Sequence, residues 1–137
     1  KIDCLNVEKG YFVDIKTTKS DIDSMVWIQD EASGRNIQVR WFEAWGYVLQ
    51  MAAYKKMLEE KYGKEFTPII YAVTKEPTPD TRAIVFQTQE KLGYELTELS
   101  MLIKRLDKVK RGEEKAKPCG HCEYCKTKAL SQRVEVV

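Results

Sequence analysis

Residues 1–20, KIDCLNVEKGYFVDIKTTKS, contain the two segments that decide the fold. Aromatic and β-branched residues in GYFVDIKTT predict a β-strand, and the turn at residues 8–10 makes KIDCLNV its antiparallel partner. Alternation along the strand places Phe12, Asp14 and Lys16 on one face. A strand built for burial should avoid charge, because an unpaired buried carboxylate costs several kcal/mol. This face is therefore either exposed or functional.

The remaining sequence predicts an α/β domain. A helix start is expected at residues 20–23, and EASGRN is expected to be a loop. A long helix is predicted from about 37 to 62, before Gly63, and a second one ends at Gly112. FTPIIYAVTKE and TRAIVFQ between them are predicted strands. This order predicts a small mixed central β-sheet flanked by helices.

Composition sets limits on the class of protein. The chain has 137 residues, a hydrophobic content of 43% and a net charge of +2, which fit one core and no strongly basic surface. No apolar run approaches the roughly 20 residues of a membrane span. Three of the four cysteines lie within CGHCEYC, which favours a metal site in a reducing compartment, so a cytoplasmic location is predicted. Because the chain opens inside a strand without Met, we expect an N-terminal portion to precede it.

Two aspartates form the first candidate site. Asp3 and Asp14 are expected to meet on one side of the hairpin, while Cys4 is expected to be buried on the other side. Paired carboxylates are ligands for hard cations such as Mg²⁺. Lys16, about 7 Å further along the same face, could stabilise charge on a phosphate. The alternative is an Asp–Lys pair on a solvated sheet face.

The predicted first helix supplies a second pair of polar residues. Gln50 and Tyr54 are four residues apart and share one helix face. A glutamine amide can bind a metal-bound water or a phosphate oxygen, and a tyrosine hydroxyl can reach the nucleic-acid backbone. The alternative is an amphipathic boundary pair. Among the nearby aromatic residues, Phe42 and Trp45 are predicted to be core residues, and a base-stacking platform is the alternative.

These motifs, in this order, resemble the PD-(D/E)xK nuclease superfamily. Asp3, then VDIKTT at residues 13–18, then Gln50-x-x-x-Tyr54 are most similar to the branch of RecB-type nuclease domains, lambda exonuclease and RecE-like phage exonucleases. The resemblance implies a restriction-endonuclease-like core over residues 1–112. The superfamily's upstream acidic motif does not occur in this chain, so the resemblance implies that this piece alone can lack activity.

The resemblance assigns roles by position. Asp3, Asp14 and the carbonyl of Ile15 would bind Mg²⁺ or Mn²⁺. Lys16 would position the attacking water, and Gln50 would support the network of metal and water. The central triplet uses Asp where Glu is commoner, which shortens the ligand.

Four further residues would contact DNA by the same resemblance. Tyr54 would bind the DNA backbone, and Thr17, Thr18 and Ser20 would contact phosphates.

Residues 113–137 form a predicted cysteine-rich, metal-binding tail. Cys119, Cys122 and Cys125 stand at two-residue gaps, which suits zinc or an iron–sulfur cluster with a fourth ligand. Cys4, His121 and a cysteine in the expected N-terminal portion are candidates for that ligand. The alternative is a flexible tail with reduced thiols.

The leading functional hypothesis is a metal-dependent exonuclease that hydrolyses linear duplex DNA 5′ to 3′, as in phage or prophage recombination. DNA is the expected partner, a single-strand annealing protein is a candidate second partner, and relatives include ring-shaped oligomers. Two alternatives stay open. One is a non-catalytic DNA-binding or metal-stapled structural module, and the other is a zinc-knuckle interaction domain.

Overall fold

The computed structural model describes residues 1–19, 21–30, 33–118 and 123–129, apart from the side chains of Gln89, Lys126 and Ala129. Internal contacts divide the chain into two compact units, residues 1–100 and residues 101–137. None of the helices in the described ranges is both long enough and apolar enough to cross a lipid bilayer.

The first unit is a mixed α/β layer. Its elements are β1 (Cys4–Asn6), β2 (Tyr11–Thr18), β3 (Met25–Gln29), β4 (Asn36–Arg40), α1 (Trp41–Ala44), α2 (Tyr47–Tyr62), β5 (Thr67–Thr74), β6 (Thr81–Val85) and the beginning of α3 (Gln89–Lys110). The main sheet has the order β1-β2-β5-β6, in which only the central β2–β5 pair is parallel. The predicted small mixed sheet flanked by helices is thereby confirmed.

The core lies between the main sheet and α2. Phe12 of β2 and Ile70 of β5 are fully buried together with Met51 and Ala52 of α2. A parallel strand pair requires a long crossover connection, and α2 lies within the segment that joins β2 to β5. This crossover is what brings a helix beside the charged face of β2.

The predicted helix from 37 to 62 is wrong in its first third. Residues 36–40 form β4, which pairs with β3 in a separate two-stranded sheet. Ile37 and Val39 alternate with polar residues, and this period of two favours a strand over a helix. Helical structure begins at Trp41 and is interrupted at Gly46, whose φ of 68° is left-handed.

The predicted helix start at residues 20–23 is also wrong. Asp21 has a φ of 31°, and its side-chain Oδ1 accepts a hydrogen bond of 2.9 Å from the backbone N of Asp23. Aspartate forms such local turns as readily as it caps helices, and here the turn leads into β3. Of the predicted loop at residues 31–36, residues 33–35 lie in the β3–β4 connection and Asn36 begins β4, while residues 31 and 32 lie outside the described ranges.

Asp23 ties this turn to two other elements. Its Oδ1 lies 2.6 Å from Arg82 Nη1 on β6 and 3.0 Å from Arg40 Nη2 on β4. The hydrogen bond from Arg82 is the main reason that the pKa of the Asp23 carboxyl is lowered, and the charge of Arg40 adds to it. The turn is therefore fixed to the main sheet and to the hairpin.

Gly10 is required by the hairpin between β1 and β2. Its φ is 69°, and a Cβ placed there would lie 2.9 Å from the backbone oxygen of Glu65. Gly34 has a similar φ of 68° but no atom within 4 Å of the equivalent position. We expect Gly10→Ala to lower the free energy of unfolding by about 2–5 kcal/mol and Gly34→Ala by about 1–2 kcal/mol. Urea unfolding of both variants measures this difference, and equal losses would contradict a steric role for Glu65.

The second unit contains the end of α3 and a short helix, α4 (Glu123–Ala129). Arg105 Nε lies 2.8 Å from Glu114 Oε1, which fixes the turn that follows α3. Of the predicted tail ligands, Cys119, His121 and Cys122 lie outside the described residues, and Cys125 is half-buried on α4. The zinc or iron–sulfur site stays a prediction.

Candidate active site

Asp14 lies at the centre of β2, with β1 on one side and β5 on the other. Only 2% of the residue is exposed, because the flanking strands and the crossover helix cover it. Its Oδ2 lies 2.6 Å from Lys16 Nζ. Among the described residues, Lys16 is the one partner of this buried carboxylate oxygen.

Asp3 lies beside the same segment of β2. The β1–β2 register pairs Cys4 with Val13, so its continuation places Asp3 opposite Asp14. Asp3 Oδ2 accepts a hydrogen bond of 2.9 Å from the backbone N of Ile15. In a strand the N–H and C=O of one residue point to the same side, so the Ile15 carbonyl also faces this edge. The structure therefore brings Asp3, Asp14, Ile15 and Lys16 together.

Lys16 is held between a carboxylate and an aromatic ring. Its side chain is 17% exposed, and Nζ lies 4.4 Å from the centre of the Tyr47 ring. Such a cation–π contact fixes an ammonium without neutralising it. Tyr47 begins α2, and its ring packs edge-on against buried Trp41 at 5.9 Å. The sequence interpretation did not assign Tyr47 to the site, although its spacing of three residues from Gln50 gave the signal.

Gln50 and Tyr54 form a second group on the same face of α2. Gln50 Nε2 donates a hydrogen bond of 3.1 Å to the Tyr54 hydroxyl, whose ring packs edge-on against Phe12. Within the described ranges, no hydrogen bond or ion pair joins Gln50 to Asp3, Asp14 or Lys16.

Two of the predicted phosphate contacts, Thr17 and Thr18, lie at the end of β2. Thr17 is exposed and Thr18 is half-buried, with the Thr18 carbonyl accepting a hydrogen bond of 3.0 Å from Lys75 N. Ser20 lies outside the described residues. Two other predictions are wrong, because Cys4 is exposed rather than buried and Trp45 is exposed rather than in the core. Phe42 is buried as predicted.

The donor set of this site suits a hard divalent cation. It consists of two carboxylates and a backbone carbonyl, and the described residues give the buried Oδ2 of Asp14 one partner, Lys16. Mg²⁺ is commonly held by one or two carboxylates, with waters and substrate phosphates completing its shell. Among the residues that the structure describes, no group of three or more His, Cys, Asp or Glu side chains could hold an ion alone. Water or substrate oxygens would supply the remaining ligands.

Comparison with known proteins places this geometry in a family. Residues 1–128 match the family described as a PDDEXK-like domain of unknown function, DUF3799. A search of curated proteins found no match. The crystal structure of a "putative exonuclease" from Eubacterium rectale superposes with a TM-score of 0.73 at 27% identity, over 96% of this chain and 46% of that protein. The chain thus spans about half the length of that relative. It belongs to the PDDEXK-like family DUF3799, within the PD-(D/E)xK superfamily, and has a nuclease fold.

Proposed function

We propose that the protein is a metal-dependent deoxyribonuclease that removes nucleotides from the ends of linear duplex DNA. The observation that carries the proposal is the buried Asp14 carboxylate, whose Oδ2 has, within the described part of the chain, only the ammonium of Lys16 as a partner. Burial of an incompletely satisfied carboxylate is costly, and such groups concentrate at functional sites. The similarity to a crystal structure described as an exonuclease supports the removal of nucleotides from an end.

Asp3, Asp14 and the Ile15 carbonyl would hold Mg²⁺ or Mn²⁺. When bound, the ion would lower the pKa of a water and offset charge on the phosphate. Lys16 has the charge and the restricted position to bind the attacked phosphate and stabilise the oxygens that gain negative charge. Hydrolysis forms one P–O bond from the water oxygen and breaks the P–O bond to the leaving sugar oxygen, which takes up a proton.

Gln50 and Tyr54 would bind the DNA backbone or its ordered water from α2. The hydrogen bond between them fixes the Tyr54 hydroxyl, and the Tyr54 ring packs against Phe12 of β2. Thr17, Thr18 and Ser20 would contact phosphates beyond the end of β2. The proposal also includes 5′ to 3′ polarity, a role in phage or prophage recombination beside a single-strand annealing protein, and a cytoplasmic location. The tail cysteines Cys119, Cys122 and Cys125 would bind zinc or an iron–sulfur cluster.

The proposal predicts cleavage that depends on a DNA end and on a divalent ion. The intact protein is incubated with linear duplexes labelled at the 5′ or the 3′ end, with Mg²⁺ or with EDTA, and with a covalently closed circle as control. We expect linear DNA alone to be shortened, only with Mg²⁺, and the 5′ label to be released first. Early loss of the 3′ label would reverse the polarity. DNA binding without cleavage in Mg²⁺ or Mn²⁺ would favour the non-catalytic module.

A further inference from the structure

Trp45 is an exposed aromatic residue two positions before Tyr47, whose ring contacts Lys16 of the candidate active site. It lies between α1 and α2, and 67% of the residue is exposed. We propose that its indole ring stacks on a nucleobase of the DNA substrate, next to the bond that is cleaved. This inference rests on the proposed nuclease function and adds to it a contact with a base.

The backbone around Trp45 is fixed, although its ring is exposed. Trp45 N donates a hydrogen bond of 3.1 Å to the Trp41 carbonyl, and the next residue, Gly46, donates one of 2.9 Å to the Glu43 carbonyl. Trp41 is itself buried, and its Nε1 donates a hydrogen bond of 2.9 Å to the Ile22 carbonyl. The left-handed φ of Gly46 sets the turn between the two helices. A ring on such a support needs little reorganisation to bind a flat ligand.

The distance between Trp45 and the candidate active site is limited by the chain, because Tyr47 lies only two residues further along. The Tyr47 ring contacts Lys16 Nζ at 4.4 Å, and Lys16 Nζ contacts Asp14. Two peptide units span at most about 7.6 Å between Cα atoms. Successive bases along one DNA strand are about 3.4 Å apart. A base within a few nucleotides of the attacked phosphate can therefore reach Trp45.

The chemistry of the indole favours a base as the ligand. Every base presents a π-face, and stacking on an aromatic side chain tolerates any sequence, as degradation of DNA from an end requires. Trp41 and Phe42 already provide the buried aromatic packing of α1. Trp45 is therefore not needed to complete this part of the core, and its replacement should leave the fold intact.

Trp27 is a matched control on the same chain. It lies on β3 in the two-stranded sheet and is 66% exposed, almost the same fraction as Trp45. Replacing either tryptophan by alanine removes the same side chain from a similarly exposed position. A general loss of exposed aromatic surface would affect both variants alike, whereas base stacking next to the active site affects only Trp45→Ala.

The test combines these variants with DNA that lacks single bases. The intact protein, Trp45→Ala, Trp45→Phe and Trp27→Ala bind end-containing duplexes in EDTA, with an abasic nucleotide placed in turn at each of the first five positions of either strand. We expect Trp45→Ala to weaken binding to unmodified DNA by about 10-fold, within the 5- to 150-fold range of one lost stacking contact. Trp45→Phe should retain much of the wild-type affinity, because phenylalanine also offers an aromatic face. In Mg²⁺, KM should rise more than kcat falls.

The decisive result is a non-additive pair of changes. At one abasic position the affinity of the wild-type protein for DNA should fall by about the same 10-fold. The affinity of Trp45→Ala should not fall further at that position. Equal weakening by Trp45→Ala and Trp27→Ala, or full additivity at every abasic position, would overturn the stacking role while leaving the nuclease proposal intact. Absence of both DNA binding and cleavage in the wild-type protein would overturn both proposals.

Discussion

Lys16→Ala is expected to reduce kcat for DNA cleavage by about 100- to 1,000-fold, the usual cost of removing one group that stabilises transition-state charge. Its Nζ lies 2.6 Å from the buried carboxylate of Asp14 and 4.4 Å from the centre of the Tyr47 ring. No rearrangement is then needed to present the positive charge beside Asp14. Lys16→Arg keeps the charge but changes the shape of the donor, so an intermediate rate is expected.

Loss of Lys16 also affects folding, and the experiment must separate the two effects. Removing one partner of a buried ion pair destabilises proteins by about 3–5 kcal/mol. Rates are therefore compared well below the unfolding midpoint of each variant, which circular dichroism supplies.

Lys55→Ala provides the matched control for this substitution. Lys55 lies on α2, its side chain is 12% exposed, and it is ion-paired with Glu59. We expect Lys55→Ala to lower stability by less than Lys16→Ala, because the Glu59 side chain is more exposed than that of Asp14, and to leave kcat close to that of the wild-type protein. If Lys16→Ala, measured while folded, cleaves DNA at the wild-type rate, Lys16 has no catalytic role. If Lys55→Ala loses as much activity as Lys16→Ala, the loss of activity in both variants results from lower stability and not from a catalytic role of Lys16.

Local sequence patterns predicted the parts of the fold that depend on neighbouring residues. The glycine turn and the alternation in GYFVDIKTT determined both the β1–β2 hairpin and the face that carries Asp14 and Lys16. The β3–β4 hairpin was missed because good helix formers after residue 40 outweighed the short alternation of Ile37 and Val39. Strand pairing decided the outcome there, since residues 36–40 acquire a partner in β3.

The residues around Lys16 show which contacts can be predicted from sequence spacing and which depend on the tertiary fold. Asp14 and Lys16 share a face through strand alternation alone, which spacing reveals. The contact between Lys16 and Tyr47 instead depends on the crossover that returns α2 to β2, across 31 positions of sequence. The exposure of Trp45 depends on the left-handed turn at Gly46, which ends α1 before the ring can reach the core. A helix that continued through Gly46 would place the Trp45 ring in the core, and this is why the sequence pattern predicted a buried residue.

Asp14→Asn is expected to abolish the stabilisation of the protein by divalent ions and to reduce cleavage at least about 100-fold. Asparagine keeps the shape of the side chain but removes the negative charge that binds the ion. Without metal, the variant loses the ion pair with Lys16 and its unfolding midpoint should fall, because removing one partner of a buried ion pair costs about 3–5 kcal/mol. The response to the ion is therefore compared with the variant's own midpoint in EDTA. The unfolding midpoint is measured across a Mg²⁺ and a Mn²⁺ titration.

Wild-type stability should rise with the logarithm of the ion concentration, by about 2.7 kcal/mol at 100 times Kd. Asp23→Asn is the matched control, because Asp23 binds Arg40 and Arg82 and lies in the turn before β3. Asp23→Asn should lower the unfolding midpoint at every ion concentration, because it removes an ion-pair network. The increase of the midpoint with ion concentration should stay unchanged, because Asp23 is not a metal ligand. Asp14→Asn should show the opposite pattern, a midpoint that no longer responds to the ion. A response that survives in Asp14→Asn and disappears in Asp23→Asn would move the metal from the charged face of β2 to the turn that follows it.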